Sequence, residues 1–590
     1  MNAAGTPPGA VFDFQDWLVV GAFVIVMLAI VLYAMRMKAR SGKDYFLSGQ
    51  DSNWLQIGTS IFSSNIGSEH LVGLAGAGFA TGMAMAHWEI QSWLILVLGW
   101  VFVPLYARMN VFTMPEFLEL RFSRGSRNVL SLLTIASLVL TKIAVTIYAG
   151  DVVVRTLLGI DTVSVFGVRM DVFWAIALAL ALTTGLYTVA GGLRVIMYTA
   201  VLQAPVLILG SVCILYQGLR VLGHGDLLAG WHATVAAAGA NIHLIRPLDD
   251  PDWSWAAVLP GSAIIGFWYW CTDQYIVQRV LAGKNQRQSR RGAILAAFLK
   301  LTPVFIFLVP GMIAFALTRT PQAGFSTSGD AAYTSLVAQI LPHGLRGMVA
   351  CSMIVALMAS LASKFNASAT LFTMDFFREW YPNASGRAEV IVGRIATAAI
   401  VVMGICWVLV IKSLHSDLYV YLQSVQGYLS PAIAVLFLLG VFWKGANATG
   451  ALWAFIIGVI GGFARLAADL VMRDDGATVT SLKQQLFHRA ITADRYDAGI
   501  ALIQAKHGWV YAFWSIHWLY YTQILLVVTA VLMIIISLLT GEPTDRALKF
   551  TWYGATPQEK AQTRASWSAL DVTLSLIVLA AVAAFYIAFW

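Results

Sequence analysis

Repeated stretches of about 20 apolar residues constrain this chain more than any other feature, because each is long enough to cross a bilayer as an α-helix. Of the 590 residues, 59% are hydrophobic and only 12% are charged, whereas about a quarter of the residues in soluble domains are charged. A membrane β-barrel would show short strands of alternating polarity instead. The sequence therefore predicts an all-α integral membrane protein.

Fourteen transmembrane helices are predicted from these apolar stretches. Two long segments, near residues 218–255 and 473–506, interrupt the pattern, and we expect both to be solvated loops that carry short helices. The predicted spans are 16–35, 53–79, 82–107, 126–156, 170–190, 194–218, 255–279, 292–318, 342–376, 388–412, 418–442, 449–472, 509–540 and 568–590.

Basic residues gather on one side of this topology, in the loops after the first, third and seventh spans and before the last. Under the positive-inside rule this side is cytoplasmic, so both termini are expected to be extracytoplasmic. The expected location is the plasma membrane, in particular a bacterial inner membrane. The net charge of +8 then reflects topology, and no nucleic-acid partner is expected. The basic residues are Arg36, Lys38, Arg40, Lys43, Arg121, Arg124, Arg127, Arg279, Lys284, Arg287, Arg290, Arg291, Lys549, Lys560 and Arg564.

The second span carries polar side chains where a simple membrane anchor would carry leucine or valine. Asn65, Glu69 and His70 lie within it, next to Gly67. Polar and ionisable groups at membrane depth are costly and normally face a cavity, a pathway or a partner. A helix break there is tolerated only where protein or a wet cavity satisfies the backbone. We interpret this run as a binding site within the bilayer.

Five further spans also carry unexpected polar groups, and one lone polar group would more often be a contact between helices. Hydroxyl groups of a sugar both donate and accept hydrogen bonds, which Glu, Lys, Gln, Asn and His side chains complement. Trp88 and Tyr269 offer flat apolar faces for a ring. The set suggests a neutral polyol as ligand. Its members include Glu89, Gln91, Ser92, Tyr269, Asp273, Lys300, Ser360, Lys364, Gln423 and Gln426.

The seventh span is also interrupted by glycines and polar residues, and it lies five spans after the second. Paired broken helices in two five-span halves indicate an inverted-repeat transporter whose site is near the membrane midplane.

An ordered set of motifs resembles the sodium/solute symporter family, in its sodium/glucose and sodium/myo-inositol cotransporter branch. These motifs are SNIGSEH at 64–70, GLAG at 73–76, MPEF at 114–117, GGL at 191–193, WYWCTDQ at 268–274, FLK at 298–300, NAS at 366–368, FTMD at 372–375 and LQS at 422–424.

The resemblance implies a five-plus-five inverted repeat of the LeuT type, with one extra N-terminal helix and several C-terminal helices. The implied divisions are 1–52 for the extra helix and a cytoplasmic loop, 53–218 for the first repeat, 219–254 for an extracellular loop, 255–443 for the second repeat with an exterior loop at 319–341, and 444–590 for the C-terminal helices with an exterior loop at 473–508.

The same resemblance implies a sugar site. At Gly266 the family usually has Asn or Thr, so one direct hydrogen bond to the substrate is expected to be missing or replaced by water. Two structural alternatives stay open: Glu89 and Lys300 could be an ion pair that only holds the bundle, and His70 could be a satisfied contact between helices. The predicted substrate-binding residues are Asn65, His70, Glu89, Ser92, Tyr269, Trp270, Lys300, Gln423 and Gln426.

A sodium site is implied as well, with the ion as the expected cofactor. Ala359 stands where the family has a hydroxyl, so one ligand is lost unless Ser63 or water substitutes for it. A second sodium site is expected to be absent, because Ala200 and Ala362 replace its oxygen donors. Lys364 either extends to the membrane interface or fills space where a cation would sit. The predicted sodium ligands are Ser63, Ile66, Ala356, Ala359 and Ser360.

These features predict a secondary active transporter that moves a monosaccharide, a hexose, across the plasma membrane by alternating access with one sodium ion. The alternative is a weakly coupled or sodium-independent uniporter for a sugar or inositol. An enzyme is not expected, because Ser68, Glu69 and His70 are consecutive and point in different directions on a helix. The expected partners are the sugar, sodium and the lipid bilayer; the oligomeric state is left open, and a monomer suffices.

Overall fold

Helices make up almost all of the computed structural model, which describes residues 12–37, 39–67, 69–165, 167–250, 252–320, 325, 327, 329–411, 418–487 and 492–590. Parts of the predicted loops 319–341 and 473–508, and the residues Lys38 and Ser68, lie outside the described residues. A hairpin of two short antiparallel strands, Thr162–Val165 and Val168–Asp171, pairs Thr162 with Asp171.

The α-helices follow one another closely along the chain. Up to residue 165 they are Phe14–Arg36, Gly42–Phe46, Trp54–Asn65, Ala75–Thr81, Ala86–Glu89, Ser92–Val97, Val103–Met109, Met114–Arg121, Arg124–Ser137 and Ala144–Leu158. The next are Val172–Leu222, Leu227–Ala238, Trp255–Phe267, Gln274–Leu281, Gln286–Leu299, Val309–Thr318, Ala332–Ile340, Leu345–Leu371, Arg378–Trp380, Gly386–Ile411 and Leu418–Phe442. The last are Ala448–Val471, Arg473–Phe487, Ala493–His507, Trp509–Trp514, Trp518–Leu539, Asp545–Leu548, Pro557–Ala565 and Ala569–Ala588.

Short segments of other helical types interrupt the long α-helices. The π-helical segments are Glu69–Leu74, Leu98–Phe102, Leu138–Ile143, Trp268–Thr272, Val304–Leu308 and Phe372–Phe377. Such π-bulges are rare and are frequently found at functional sites. The 3₁₀ segments are Ser48–Gln50, Gly82–Met85, Gly239–Ile242, Gly329–Ala331 and Trp552–Gly554.

Eleven helical runs in the described chain are long and apolar enough to cross a membrane. They are Phe14–Arg36, Glu69–Met109, Arg124–Leu157, Val172–Leu222, Gln286–Thr318, Leu345–Trp380, Gly386–Trp407, Leu422–Phe442, Ala448–Val471, Trp518–Leu539 and Ala569–Ala588. The all-α membrane class predicted from the sequence is confirmed. Fourteen spans were predicted. The number of runs is lower because some predicted spans are merged into one run and others are broken into shorter helices.

One pair of predicted spans, 170–190 and 194–218, merges into the single run Val172–Leu222, which turns at Gly192 with φ +58°. A Cβ at this glycine would lie 2.3 Å from the Tyr45 carbonyl oxygen, and the left-handed conformation favours glycine. Tyr45 donates its hydroxyl toward the carbonyls of Thr188 and Val189 at 3.1 and 3.0 Å. The turn is therefore held by an adjacent helix.

Two other predicted spans are broken near their middle. The helix Trp54–Asn65 begins with a capping box from Asn53 and ends where Ile66 adopts φ −75° and ψ 118°. The seventh span divides into Trp255–Phe267, a π-helical segment, and Gln274–Leu281, which is capped by the Asp273 side chain. These breaks free backbone groups from the regular helical pattern.

The helix Leu345–Leu371 is buried along most of its length and packs against Val172–Leu222 and Trp54–Asn65. The N-terminal helix Phe14–Arg36 presents mainly exposed apolar residues, as a lipid-facing helix does. Asp16 attaches it to the bundle, because its Oδ1 accepts hydrogen bonds from the Gly344 and Gly347 amides at 2.8 and 2.7 Å.

The two segments expected to be solvated loops both contain helices, as predicted. The first holds Leu227–Ala238 and the second holds Arg473–Phe487 and Ala493–His507. The helix Ala332–Ile340 lies in the predicted loop 319–341. The division of the chain into two repeats and added helices stays a prediction.

Candidate functional site

The breaks of the two interrupted spans meet at one small cavity of about 30 Å³, which we call the central cavity. Eight of the nine predicted substrate-binding residues line it; Ser92 is not among the described lining residues. The lining residues are Asn65, Glu69, His70, Trp88, Glu89, Gln91, Ile265, Gly266, Tyr269, Trp270, Lys300, Gln423 and Gln426. Whether any of them binds substrate stays a prediction.

A chain of polar contacts runs along one side of the central cavity. Lys300 donates from Nζ to Glu89 Oε2 at 2.5 Å and to Asn65 Oδ1 at 3.1 Å. His70 Nε2 lies 3.1 Å from the same Glu89 oxygen. Because each of these side chains is buried, the contacts compensate the large cost of burying charge. The ion pair thus forms, and it forms at the cavity wall.

Aromatic side chains cover another side of the central cavity. Asn65 Nδ2 donates to the Tyr269 hydroxyl at 2.8 Å, and that hydroxyl also contacts the hydroxyl of Tyr275. The Lys300 ammonium lies 5.3 Å from the centre of the Trp270 ring, in cation–π geometry. Tyr269 is therefore held in place by hydrogen bonds at the broken ends of both spans.

Several polar atoms at the cavity have no protein partner within the described residues. They are buried, so each carries a free-energy cost unless a ligand or solvent satisfies it. Both donors and acceptors are available, which suits hydroxyl groups. The atoms are His70 Nδ1, Trp88 Nε1, Gln423 Oε1 and Gln426 Nε2. Ser92 Oγ is likewise buried and unpartnered, although its residue lies off the cavity wall.

Gln91 occupies the space beside Gly266 where the family usually has a side chain. A Cβ on Gly266 would lie 2.3 Å from Gln91 Oε1. Gln91 Nε2 donates to the Ser262 carbonyl at 2.8 Å, which fixes the amide at the cavity wall. The amide of Gln91, a residue of a different helix, therefore lies beside Gly266 at the cavity wall.

Five lining residues were not among the predicted substrate-binding residues: Glu69, Trp88, Gln91, Ile265 and Gly266. Three of them carry a sequence signal, since Glu69 and Gln91 are polar residues in apolar spans and Trp88 is an amphipathic aromatic residue. Ile265 carries none, because an apolar residue in an apolar span is the ordinary case. Only the tertiary contacts assign it to the wall.

The predicted sodium ligands lie where the helix Trp54–Asn65 ends against the helix Leu345–Leu371. A Cβ on Gly67 would be 2.6 Å from Ser360 Oγ, so the break and this hydroxyl are in contact. Ile66 has left the helical conformation. Carbonyls of a broken helix and a serine hydroxyl are the donors that a sodium ion takes in such transporters, so this part of the donor set fits the ion.

The remaining predicted sodium ligands offer fewer free oxygen atoms to an ion. Ala356 and Ala359 are buried on the same helix, but Ala359 supplies no hydroxyl and its carbonyl already accepts the Ser363 hydroxyl at 2.8 Å. The Ser63 hydroxyl lies 3.5 Å from the Ala200 carbonyl. The Ser63 hydroxyl is therefore directed at that carbonyl, and its role at the sodium site stays a prediction.

The absence of a second sodium site stays a prediction. Ser64 and Ser363 share a hydrogen bond between their hydroxyls at 2.8 Å, and Ala362 is fully buried beside them.

Lys364 does not extend to the membrane interface, because its side chain is only 1% exposed. Its Nζ donates to Thr146 Oγ1 at 2.8 Å and lies 3.7 Å from Glu69 Oε1. Of the two alternatives left open by the sequence, the interfacial one is wrong: the helix buries Lys364 in mid-bundle, where a carboxylate faces it.

Residues 45–458 match the sequence profile of the Sodium:solute symporter family. The chain belongs to this family. It is 34% identical over 568 residues to the sodium/myo-inositol cotransporter 2 of Oryctolagus cuniculus, covering 91% of this chain and 79% of the relative. It is also 34% identical over 583 residues to the sodium/myo-inositol cotransporter of Canis lupus familiaris, covering 92% of this chain and 76% of the relative.

Among solved structures, this symporter is similar to a Na⁺-coupled sialic acid symporter in a substrate-bound, outward-open state. The TM-score is 0.69 at 18% identity, and the match covers 90% of this chain and 99% of the other. At this identity the similarity establishes the shared fold only.

Membership of the Sodium:solute symporter family makes this chain a multi-pass membrane transporter that couples solute movement to sodium, and not an enzyme. Sodium is therefore a co-transported ion. The broken helix and Ser360 are the part of the described structure that fits it. The resemblance inferred from the sequence motifs is confirmed.

Proposed function

We propose that this symporter moves a neutral cyclic polyol, an inositol or a hexose, with one sodium ion per cycle. The observation that carries the proposal is the contact of Lys300 with Glu89 at 2.5 Å in the wall of the central cavity. The only lysine that lines the described cavity is thus already paired with a carboxylate. A substrate carboxylate would compete with Glu89 for that ammonium, whereas a hydroxyl can bind beside it.

The hydrogen-bonding groups in the wall also favour a polyol. Gln423, Gln426 and His70 each leave one buried polar atom without a protein partner among the described residues. A ring that carries hydroxyls on all sides can satisfy donors and acceptors together. The names of the relatives favour myo-inositol over a hexose, and the hexose predicted from the sequence stays the second candidate.

We place transport in an alternating-access cycle. Sodium binds at the Ile66 break and Ser360 and stabilises the state open to the outside. Polyol then binds in the central cavity, and displacement of Tyr269 from Asn65 and Tyr275 lets it leave on the cytoplasmic side. Sodium can drive the cycle only by the difference between its affinities for the two states.

The proposed architecture is a five-plus-five inverted repeat of the LeuT type within fourteen helices. The paired interruptions support it, since one lies at Ile66 and the other at the π-helical segment Trp268–Thr272. The proposed orientation places both termini outside a plasma membrane, in particular a bacterial inner membrane. In this proposal a monomer suffices for transport.

The test is uptake by the purified protein in proteoliposomes, with labelled myo-inositol and labelled glucose and with sodium or choline outside. We expect sodium-dependent uptake that unlabelled inositols and hexoses inhibit and that sialic acid and amino acids do not. Equal uptake in sodium and choline would favour the uniporter. Inhibition by an anionic sugar acid, with no effect of neutral polyols, would contradict the proposed substrate class.

A further inference from the structure

We propose that Lys364 is a tethered cation that occupies a second cation position in this symporter, so that removing its ammonium creates an additional sodium site. This inference deepens the proposed single-sodium coupling by naming the residue that sets the number of exchangeable ions. It rests on the surroundings of Lys364, and its test is arranged so that it can fail separately from that proposal.

Oxygen atoms of three kinds surround the Lys364 ammonium. The Thr146 hydroxyl lies at 2.8 Å, the Lys142 carbonyl at 3.4 Å and a Glu69 carboxylate oxygen at 3.7 Å. A hydroxyl, a backbone carbonyl and a carboxylate are also the ligands that hard cations take in proteins. The ammonium therefore occupies an environment that suits a small cation.

Two of these three groups belong to residues in irregular segments of backbone. Lys142 lies in the π-helical segment Leu138–Ile143, and Glu69 begins the π-helical segment Glu69–Leu74 next to the helix break. Unwound or irregular helix at membrane depth is where transporters expose oxygen atoms to ions. The position of Lys364 is thus built like the proposed sodium position at Ser360. The two positions are one helical turn apart on the same helix.

Lys364 and Glu69 belong to a group of two neighbouring buried ion pairs. Glu69 faces Lys364 from the broken span, and a second ion pair, Lys142 with Asp273 at 2.8 Å, lies beside it. The four side chains are at most 8% exposed. In these two pairs two ammonium groups face two carboxylates, and without Lys364 the Glu69 carboxylate loses the ammonium that lies 3.7 Å from it.

Glu69 connects this position to the substrate. Its side chain faces Lys364 and its residue also lines the central cavity. A buried carboxylate that loses its partner must be protonated or must gain another cation. Because Thr146 and the Lys142 carbonyl remain in place, a sodium ion with water can occupy the space that a shortened side chain leaves.

The experiment measures ²²Na⁺ bound per molecule of purified full-length protein in lipid nanodiscs, with choline replacing sodium at constant ionic strength. We expect Lys364→Ala to bind one sodium ion more than the natural protein. Lys364→Arg, which keeps a cation, should bind the same number as the natural protein. Lys364→Ala combined with Glu69→Gln should also show no gain, because the carboxylate that recruits the ion is gone.

An unchanged number of bound ions in Lys364→Ala overturns the inference, and so does an equal gain in the variant that lacks the Glu69 charge. The proposed coupling ratio is judged separately, by the number of ions that the natural protein binds. Lys364→Met, which keeps much of the side-chain volume, provides a second variant. If either variant is unstable in choline, its unfolding temperature is measured with and without sodium. We expect sodium to raise the unfolding temperature of the variant by more than it raises that of the natural protein. An equal effect of sodium on both variants and on the natural protein also overturns the inference.

Discussion

Lys300 contacts three other side chains in the wall of the central cavity. Its ammonium reaches Glu89, Asn65 and the face of Trp270. The sequence left two roles open for the Lys300–Glu89 pair, a contact that holds the bundle or a part of the substrate site. The pair is buried between helices and also lines the cavity, so its stability and substrate-binding effects must be separated by experiment.

Lys300→Ala should abolish polyol binding and lower the free energy of unfolding by about 3–5 kcal/mol, because a buried carboxylate loses its partner. Lys300→Met combined with Glu89→Gln removes both charges and should recover most of the stability but not the binding. Thermal unfolding and binding of labelled inositol measure the two effects. Recovery of binding in the double variant would contradict a role for the pair at the substrate.

Gly266→Ala should displace the Gln91 amide, since the new Cβ would lie 2.3 Å from Gln91 Oε1. We expect polyol affinity to fall roughly tenfold, the effect of losing a hydrogen bond worth about 1–1.5 kcal/mol. Gln91→Ala should cause a similar loss, and the double variant should lose no more than either single variant. Binding titrations of the three variants test this coupling; additive losses would show that the two positions act independently.

Ala359→Ser should lower the sodium concentration at half-maximal uptake, because it restores a hydroxyl one residue before Ser360. An oxygen contact to a charged group contributes about 1.5–3 kcal/mol, so the shift should be about tenfold or more. Ser360→Ala is the matched control and should raise the half-maximal concentration. Sodium titration of uptake measures both, and an unchanged value in Ala359→Ser would remove residue 359 from the ion site.

At the scale of single elements, the positions of the helix breaks were predictable from the sequence. The side-chain contacts made at those breaks were predictable only in part. Gly67 and the polar residues around it indicated an interruption of the second span, and the helix does end at Asn65. The contact of Gln91 with Gly266 joins different helices, and so does that of Lys364 with Glu69. Such pairings depend on how helices pack and have no signature in local sequence.

The helices Arg473–Phe487 and Ala493–His507 form a second element whose contacts were not predictable. Lys506 and His507 bind Asp475 at 2.6 and 2.7 Å. These hydrogen bonds, the one from Lys506 first, lower the pKa of the Asp475 carboxyl below its ordinary value of 3.8. The pairing therefore holds the two helices together through one carboxylate.

Because the folded-state pKa of Asp475 is lowered, this pairing stabilises the helix pair at neutral pH and loses its effect as pH falls below about 4 and through the lowered value. Asp475→Asn should show reduced amide-exchange protection of residues 493–507 already at neutral pH. Asp494→Asn, in the exposed first turn of the same helix, is the control. Equal protection in Asp475→Asn and the natural protein would contradict the proposed contact.

At the scale of the whole molecule, the coupling ratio determines how far a polyol can be concentrated. One sodium ion crossing 100 mV supplies about 2.3 kcal/mol, which corresponds to an accumulation of roughly 50-fold at equal sodium concentrations. Proteoliposomes clamped at −100 mV, inside negative, should approach this ratio for myo-inositol. A plateau near one would indicate no coupling, and a plateau far above 50-fold would indicate more than one ion.

The overall class of the protein was predictable because membrane helices need about 20 apolar residues, and that length is written directly in the sequence. The number of helices was less predictable from the sequence. Val172–Leu222 is one run with a turn at Gly192, and the seventh span is divided at Trp268–Thr272. Whether a helical run continues through a glycine or a π-helical segment depends on the residues packed against it, such as Tyr45 beside Gly192.

The sequence by itself determined that the chain lies in a membrane and that its second span is broken by polar residues, and it predicted that nine particular side chains share one site. Each of these conclusions depends on residue type and on spacing along a helix. Only the tertiary structure decided that Gln91 fills the place beside Gly266, that Ser92 lies off the cavity wall, and that Lys364 points to Glu69 instead of the interface. The physical reason is that buried polar groups take their partners from other helices, and sequence spacing does not record which helices meet.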